Sequence, residues 1–66
     1  MIEQMISMIN EAFGEKFYHV IKVYSDGKET RAVARDPFNE GFTIFKLAKD
    51  GEFEYSIDQG ANWHPV

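Results

Sequence analysis

Two Asp-Gly dipeptides, Asp26-Gly27 and Asp50-Gly51, do most to limit what this chain can fold into. A two-residue hairpin turn needs φ > 0 at both central positions, and Asp-Gly accepts this at little steric cost. Each dipeptide stands between short runs that read as strands. Residues 17–24 and 29–35 flank the first, and residues 42–48 and 52–57 flank the second. In the last run Phe53, Tyr55 and Ile57 alternate with Glu52, Glu54 and Ser56, the period of a half-buried strand. Read as two-residue turns, the dipeptides set Val23 opposite Thr30, Ile21 opposite Ala32 and His19 opposite Ala34. In the second hairpin they set Ala48 opposite Phe53, Lys46 opposite Tyr55 and Ile44 opposite Ile57.

The segment before the hairpins has a different period. Ile2, Met5, Ile6, Ile9, Ala12 and Phe13 recur at spacings of three and four, one face of a helix over residues 2–13. Gly14 stands where a C′ residue would end it, and Met8 lies off the main stripe. So short a helix does not hold in water unaided and must pack on something. Small Ala32 and Ala34 leave room on the first hairpin, and the helix is expected there. Residues 36–41, with Pro37 and Gly41, read as a loop between the hairpins. Residues 62–66 add a short edge strand ended by Pro65. The expected fold is α+β: an N-terminal helix on an antiparallel meander of four to five strands, in one domain.

Size makes the core demanding. A chain of 66 residues buries only roughly 60% of its extended surface, and with no cysteine neither disulfides nor thiolate zinc can help. Six Phe, three Tyr and one Trp are the means available, since aromatic rings bury much area each. No apolar run is long enough to span a bilayer, and no signal-peptide pattern opens the chain. A cytoplasmic protein without membrane contact is expected.

The net charge of −4 is unevenly spread. Residues 1–15 carry three glutamates and no cation. Residues 16–35 carry five cations against two acids, and residues 36–66 six acids against two lysines. Internal charge balance would explain this pattern. A basic hairpin face that meets a partner would explain it too. On the expected register Tyr18, Lys22, Tyr24, Arg31 and Arg35 share the sheet face turned away from the helix, with Val20 and Val33, and Phe45 and Leu47 join them. That face is too apolar for plain solvent. Either the sheet curls on itself like a small barrel, or the face meets a partner.

After the fourth expected strand comes Ser56-x-Asp58-x-Gly60-x-x-Trp63. A carboxylate at Asp58 can accept hydrogen bonds from the turn's own N–H groups, Gly60 can adopt the left-handed conformation, and Trp63 can fold back as an apolar clamp. The pattern resembles the Asp-box, a hairpin-turn motif of sialidase-type propellers and some small ribonucleases. It covers eight of the 66 residues and identifies a turn, with Ser56, Asp58, Gly60 and Trp63 in structural roles. In those ribonucleases the turn carries a catalytic histidine just after the aspartate. Here Gln59 stands in that place, so a nuclease of that type is not expected.

Other chemistry has few ingredients. His19 falls on the expected helix-facing side of its strand, as a structural histidine, and His64 lies beside Pro65 near the end of the chain. The serines Ser7, Ser25 and Ser56 have no nucleophile motif around them. No EF-hand spacing, H-E-x-x-H pattern or glycine-rich phosphate loop occurs. No catalytic residue, metal or cofactor is assigned, and a small hydrolase ranks third among the functions. The first is a small acidic non-catalytic module that binds another protein, with Tyr18, Lys22, Tyr24, Arg31, Arg35, Phe45 and Leu47 as contacts. Its size and composition resemble those of phage- and mobile-element-encoded regulators. The second is a single-stranded nucleic-acid binder using the basic-aromatic face of the first hairpin, and homo-oligomerisation through the same face is a further option.

Overall fold

The computed structural model describes residues 2–15, 17–36 and 41–66. The expected loop over residues 36–41 and the side chain of Ile2 lie largely or wholly outside them. One helix, α1 (Ile2–Phe13), is followed by β1 (His19–Ser25), β2 (Glu29–Arg35), β3 (Phe42–Ala48), β4 (Phe53–Ser56) and β5 (His64–Pro65). The strands form one antiparallel sheet in sequence order, a meander open at both edges. This is the expected α+β architecture, in its five-stranded and unclosed form.

Helix α1 ends as its sequence dictates. Gly14 has φ 105° and donates its N–H to Asn10 O at 2.9 Å, closing the last turn in the left-handed manner. Met5 and Ile9 are fully buried, and Phe13 packs against the same cluster. Beneath them lie Ala32 and Ala34, both fully buried, so the small side chains do make room for the helix. Ala12, counted on the apolar stripe from spacing, is exposed.

Strand β1 departs from the expected alternation. Val20 pairs with Ala34, but Lys22 pairs with Val33, which leaves Ile21 as an extra residue in a β-bulge. The bulge puts both Val20 and Val23 against the core and turns Ile21 out to 52% exposure. His19 is likewise exposed rather than facing the helix. β1 is an edge strand, and a bulge there twists the edge away from pairing with other chains.

Neither hairpin turn is the expected two-residue Asp-Gly turn: the first is shifted by one residue and the second is longer by one. In the first, Asp26 N–H donates to Glu29 O at 3.2 Å, and Asp26 Oδ1 accepts the N–H groups of Lys28 and Glu29, each at 3.0 Å. These bonds hold the Asp26 carboxylate pKa below its ordinary value. Ser25 now faces Thr30 and Val23 faces Ala32, a slip of two residues that preserves faces. In the second, Ala48 N–H donates to Glu52 O at 2.9 Å and Gly51 N–H to Ala48 O at 3.0 Å. Only Gly51 is left-handed, so Lys49, Asp50 and Gly51 form a three-residue loop. That moves the register by one, and a one-residue slip exchanges faces. Phe45 faces Tyr55, Leu47 faces Phe53 and Lys46 faces Glu54.

The consequence is a single aromatic layer under α1. Phe45 is fully buried, with Tyr18 at 5.0 Å and Phe13 at 5.6 Å edge-on, and Phe53 stacked at 6.0 Å between ring centres. Tyr55 joins through Phe13 at 5.9 Å, and Phe17 through Tyr18 at 5.0 Å. Edge-to-face pairs add roughly 0.5–1.5 kcal/mol each beyond area burial. Tyr18, Phe45 and Leu47 are therefore on the helix side of the sheet. Their expected place beside Tyr24 on the opposite face is corrected by the bulge and by the loop length.

Ile9→Ala should destabilise by about 2–5 kcal/mol in urea titrations, the range for truncating a buried aliphatic chain. Ile21→Thr should stay within about 0.5 kcal/mol, as for exposed positions. Equal losses at the two sites would mean that the bulge does not turn Ile21 outward.

Candidate functional site

With the aromatics drawn to the helix side, the outer face of the sheet is built from the alternate residues. Its rows are read from the pairings: Tyr24, Arg31, Lys46 and Glu54 in one, Lys22, Val33, Ile44 and Ser56 in the next, Arg35 and Phe42 in the third. Of the seven contacts expected from sequence, Lys22, Tyr24, Arg31 and Arg35 stand together here. Tyr18 and Phe45, being buried, cannot touch a partner on this face, and Leu47 is half-buried on the opposite side.

Three residues that sequence reasoning left out join the four. Lys46 arrives through the register change, Phe42 is 43% exposed across from Arg35, and Trp63 lies over the first row. Each aromatic ring on this face is matched with a cation. Lys22 Nζ is 5.3 Å from the Tyr24 ring centre, and Arg35 Cζ is 5.4 Å from that of Phe42. Trp63 takes two, Lys46 Nζ at 4.1 Å and Arg31 Cζ at 5.5 Å. Such contacts contribute roughly 0.5–1 kcal/mol at exposed sites.

The same cations meet carboxylates. Arg31 Nε donates to Glu29 Oε2 at 3.1 Å, and that hydrogen bond raises the guanidinium pKa. Lys46 Nζ is 3.5 Å from Glu54 Oε1, directly across the ladder. The face thus carries four cations and two anions in an acidic protein.

The Ser56–Trp63 turn brings Trp63 to this face. Ser56 is fully buried, and its Oγ donates to Asp58 Oδ1 at 2.6 Å while accepting Gly60 N–H at 2.8 Å. Asp58 Oδ1 also accepts Asn62 N–H at 2.9 Å, and Oδ2 accepts Asn62 Nδ2 at 2.7 Å. These donors, the Ser56 hydroxyl foremost, hold the Asp58 carboxyl at a pKa of about 2. Gln59 and Gly60 are both left-handed, at φ 62° and 93°. A side chain at Gly60 would sit 3.6 Å from Trp63 Cζ2, so the indole does fold back over the turn. Asp58 thus accepts the turn's hydrogen bonds, Gly60 takes the left-handed bend, and Trp63, packed over it, in addition stacks on cations.

On the helix side a second polar group is buried. Thr43 Oγ1 is fully buried without a hydrogen bond of good geometry; its polar neighbour is the Tyr18 hydroxyl, which also faces Asp36. Burial above all, with the Asp36 charge, raises the Tyr18 pKa. Of the histidines, His64 pairs with Tyr55 in the sheet, their rings 5.5 Å apart. Among the described residues no three His, Asp or Glu side chains converge as metal ligands would. Among the described residues no helix is long and apolar enough to cross a membrane. Comparison with protein-family models, with curated proteins and with solved structures finds no match to this chain.

The turn predicts its own pH dependence. A carboxyl depressed from 3.8 to about 2 stabilises the fold fully above 3.8, and this contribution is lost as pH falls through about 2. Asp58→Ala should therefore be less stable than the parent at neutral pH, with the gap in melting temperature shrinking across that interval. Gly60→Val, strained at positive φ, should lose about 1–3 kcal/mol at any pH. An Asp58→Ala gap that stays constant down to pH 2 would refute the carboxylate's role.

Proposed function

We propose that this protein is a small non-catalytic module that binds an acidic protein surface through the outer face of its sheet. One observation carries the reading: the face gathers Lys22, Arg31, Arg35 and Lys46 around Tyr24, Phe42 and Trp63, in a chain of net charge −4. Arginine and aromatic residues are the side chains that most often anchor protein interfaces. Half-buried Val33 and Ile44 supply an apolar centre between the charged rows.

The rival partner, single-stranded nucleic acid, fits this face less well. Base stacking uses open ring faces, and here each ring has one of its two faces taken by one of the protein's own cations. Glu29 and Glu54 stand within the cation rows, where they would repel phosphates. Alternating signs suit a protein surface of complementary pattern. A second copy of the chain is a further candidate for the same face. A regulatory role, a phage or mobile-element origin and a cytoplasmic location are the finer form of this proposal, and they rest on size and composition.

The test uses Trp63, the single tryptophan, as an internal reporter on the face. Titration with random single-stranded oligonucleotides at about 0.15 M salt should leave its emission unchanged. Affinity capture from lysate should retain a protein whether or not nuclease is added, and the double variant Arg31→Glu/Lys46→Glu should release it. Tyr24→Ala should weaken capture more than Lys22→Glu, since the ring supplies the apolar anchor. Micromolar oligonucleotide binding whose log K falls by about 0.7 per phosphate with log salt would overturn the protein reading.

A further inference from the structure

We propose that a cleft on the opposite side of the sheet, between the first half of α1 and the two hairpin tips, binds a small organic anion with an apolar body. The cleft has a volume of about 340 Å³, at the lower end of ligand-binding cavities. It lies over the row Ser25–Thr30–Leu47, on the helix side of the sheet and next to the turns. Helix α1 crosses above this row with Met8, which is half-buried, rather than with the fully buried Met5 and Ile9. Met8 from the helix and Leu47 from the sheet thus line the cleft with apolar surface, and methionine adapts readily to different occupants. Met8, off the helix stripe in sequence, gains a role here.

The charge at the rim argues for an anion. Lys28 from the first hairpin and Lys49 from the second line the cleft from its two sides. Both are exposed, and neither ammonium joins an ion pair among the described residues. The cations of the outer face contrast with them: Arg31 and Lys46 already hold Glu29 and Glu54. Glu29, the acid that lines the cleft, has its carboxylate committed to Arg31. The neighbouring turn carboxylates are committed too, Asp26 to Lys28 and Glu29 N–H and Asp50 to Glu52 N–H. Two unpaired lysines therefore flank an apolar lining, with the Thr30 hydroxyl nearby. A medium-chain carboxylate or alkyl phosphate has matching chemistry: a chain for Met8 and Leu47, a head for Lys28 and Lys49.

Octanoate and octyl phosphate are the probes, with octanol as the neutral counterpart and acetate as the head alone. Amide chemical shifts in the intact protein should move saturably for Met8, Lys28, Thr30, Leu47 and Lys49, and not across the outer face. Octanol and acetate should each bind roughly tenfold more weakly than octanoate, and Lys28→Glu/Lys49→Glu should weaken octanoate by a similar factor. The better of the two anions identifies the headgroup. Octanol binding as tightly as octanoate, shifts centred on Tyr24 and Trp63, or no saturation with either anion would overturn the proposal. The comparison of octanoate with octanol on the unmodified protein decides the point even if the double variant does not fold.

Discussion

The packing of Phe45 against the helix-side aromatic layer is the interaction on which the rest of this protein depends. Its ring is fully buried on the third of five strands, where Phe13 from the helix, Tyr18 from the segment before β1 and Phe53 from β4 all reach it. Helix α1, β3 and β4 thus each contribute a ring to this layer, β2 contributes the small alanines beneath it, and β1 packs against it through Val20 and Val23. A domain of this size has only about 3–5 kcal/mol from a single core to spend against chain entropy. Aromatic rings placed edge to face concentrate that stabilisation in few residues. The alanines of β2 are the necessary counterpart, since larger side chains at Ala32 and Ala34 would lift Met5 and Ile9 off the sheet.

Gathering the rings on one side determines the chemistry of the other. Once Phe45, Leu47, Phe53 and Tyr55 face the helix, Lys46 and Glu54 must face outward, because strand neighbours alternate. The outer face becomes a mixed, cation-rich surface instead of an apolar one. The exposed side of α1 carries Glu3 and Glu11, with Glu15 just beyond it. The uneven charge seen along the sequence thereby becomes a difference between two surfaces of the folded molecule. That separation gives the basic face a local sign opposite to the net charge, which favours selective over indiscriminate attraction.

The turn at Ser56–Trp63 links the two features. Its hydrogen bonds converge on the Asp58 carboxylate and the buried Ser56 hydroxyl, and its left-handed residues bend the chain so that Trp63 returns to the outer face. The motif is local and structural, yet it delivers the indole onto Arg31 and Lys46 from distant strands. A structural turn and a candidate contact are in this case one device.

The sequence by itself determined which segments are helix, strand and turn. The 3–4 spacing to Phe13, the left-handed Gly14, the alternation in each strand and the bonding capacity of Asp58 are all properties of neighbouring residues, so they can be read without the fold. Lys22, Tyr24, Arg31 and Arg35 were legible as a group for the same reason. What only the tertiary structure decided is which side of the sheet each residue takes. One bulged residue, Ile21, and one extra loop residue, Lys49, are enough to exchange faces, and neither is distinguished locally from an ordinary strand or a two-residue turn. Tyr18, Phe45 and Leu47 were misplaced on that account, Lys46 and Phe42 were missed, and Trp63 was read only as the clamp of its turn. A signal was present in the apolar residues themselves: Phe45, Leu47, Phe53 and Tyr55 can meet under one helix only if the second turn holds three residues. The competition between turn preference and burial of four large side chains is settled by burial, because the apolar area at stake outweighs the difference between turn types.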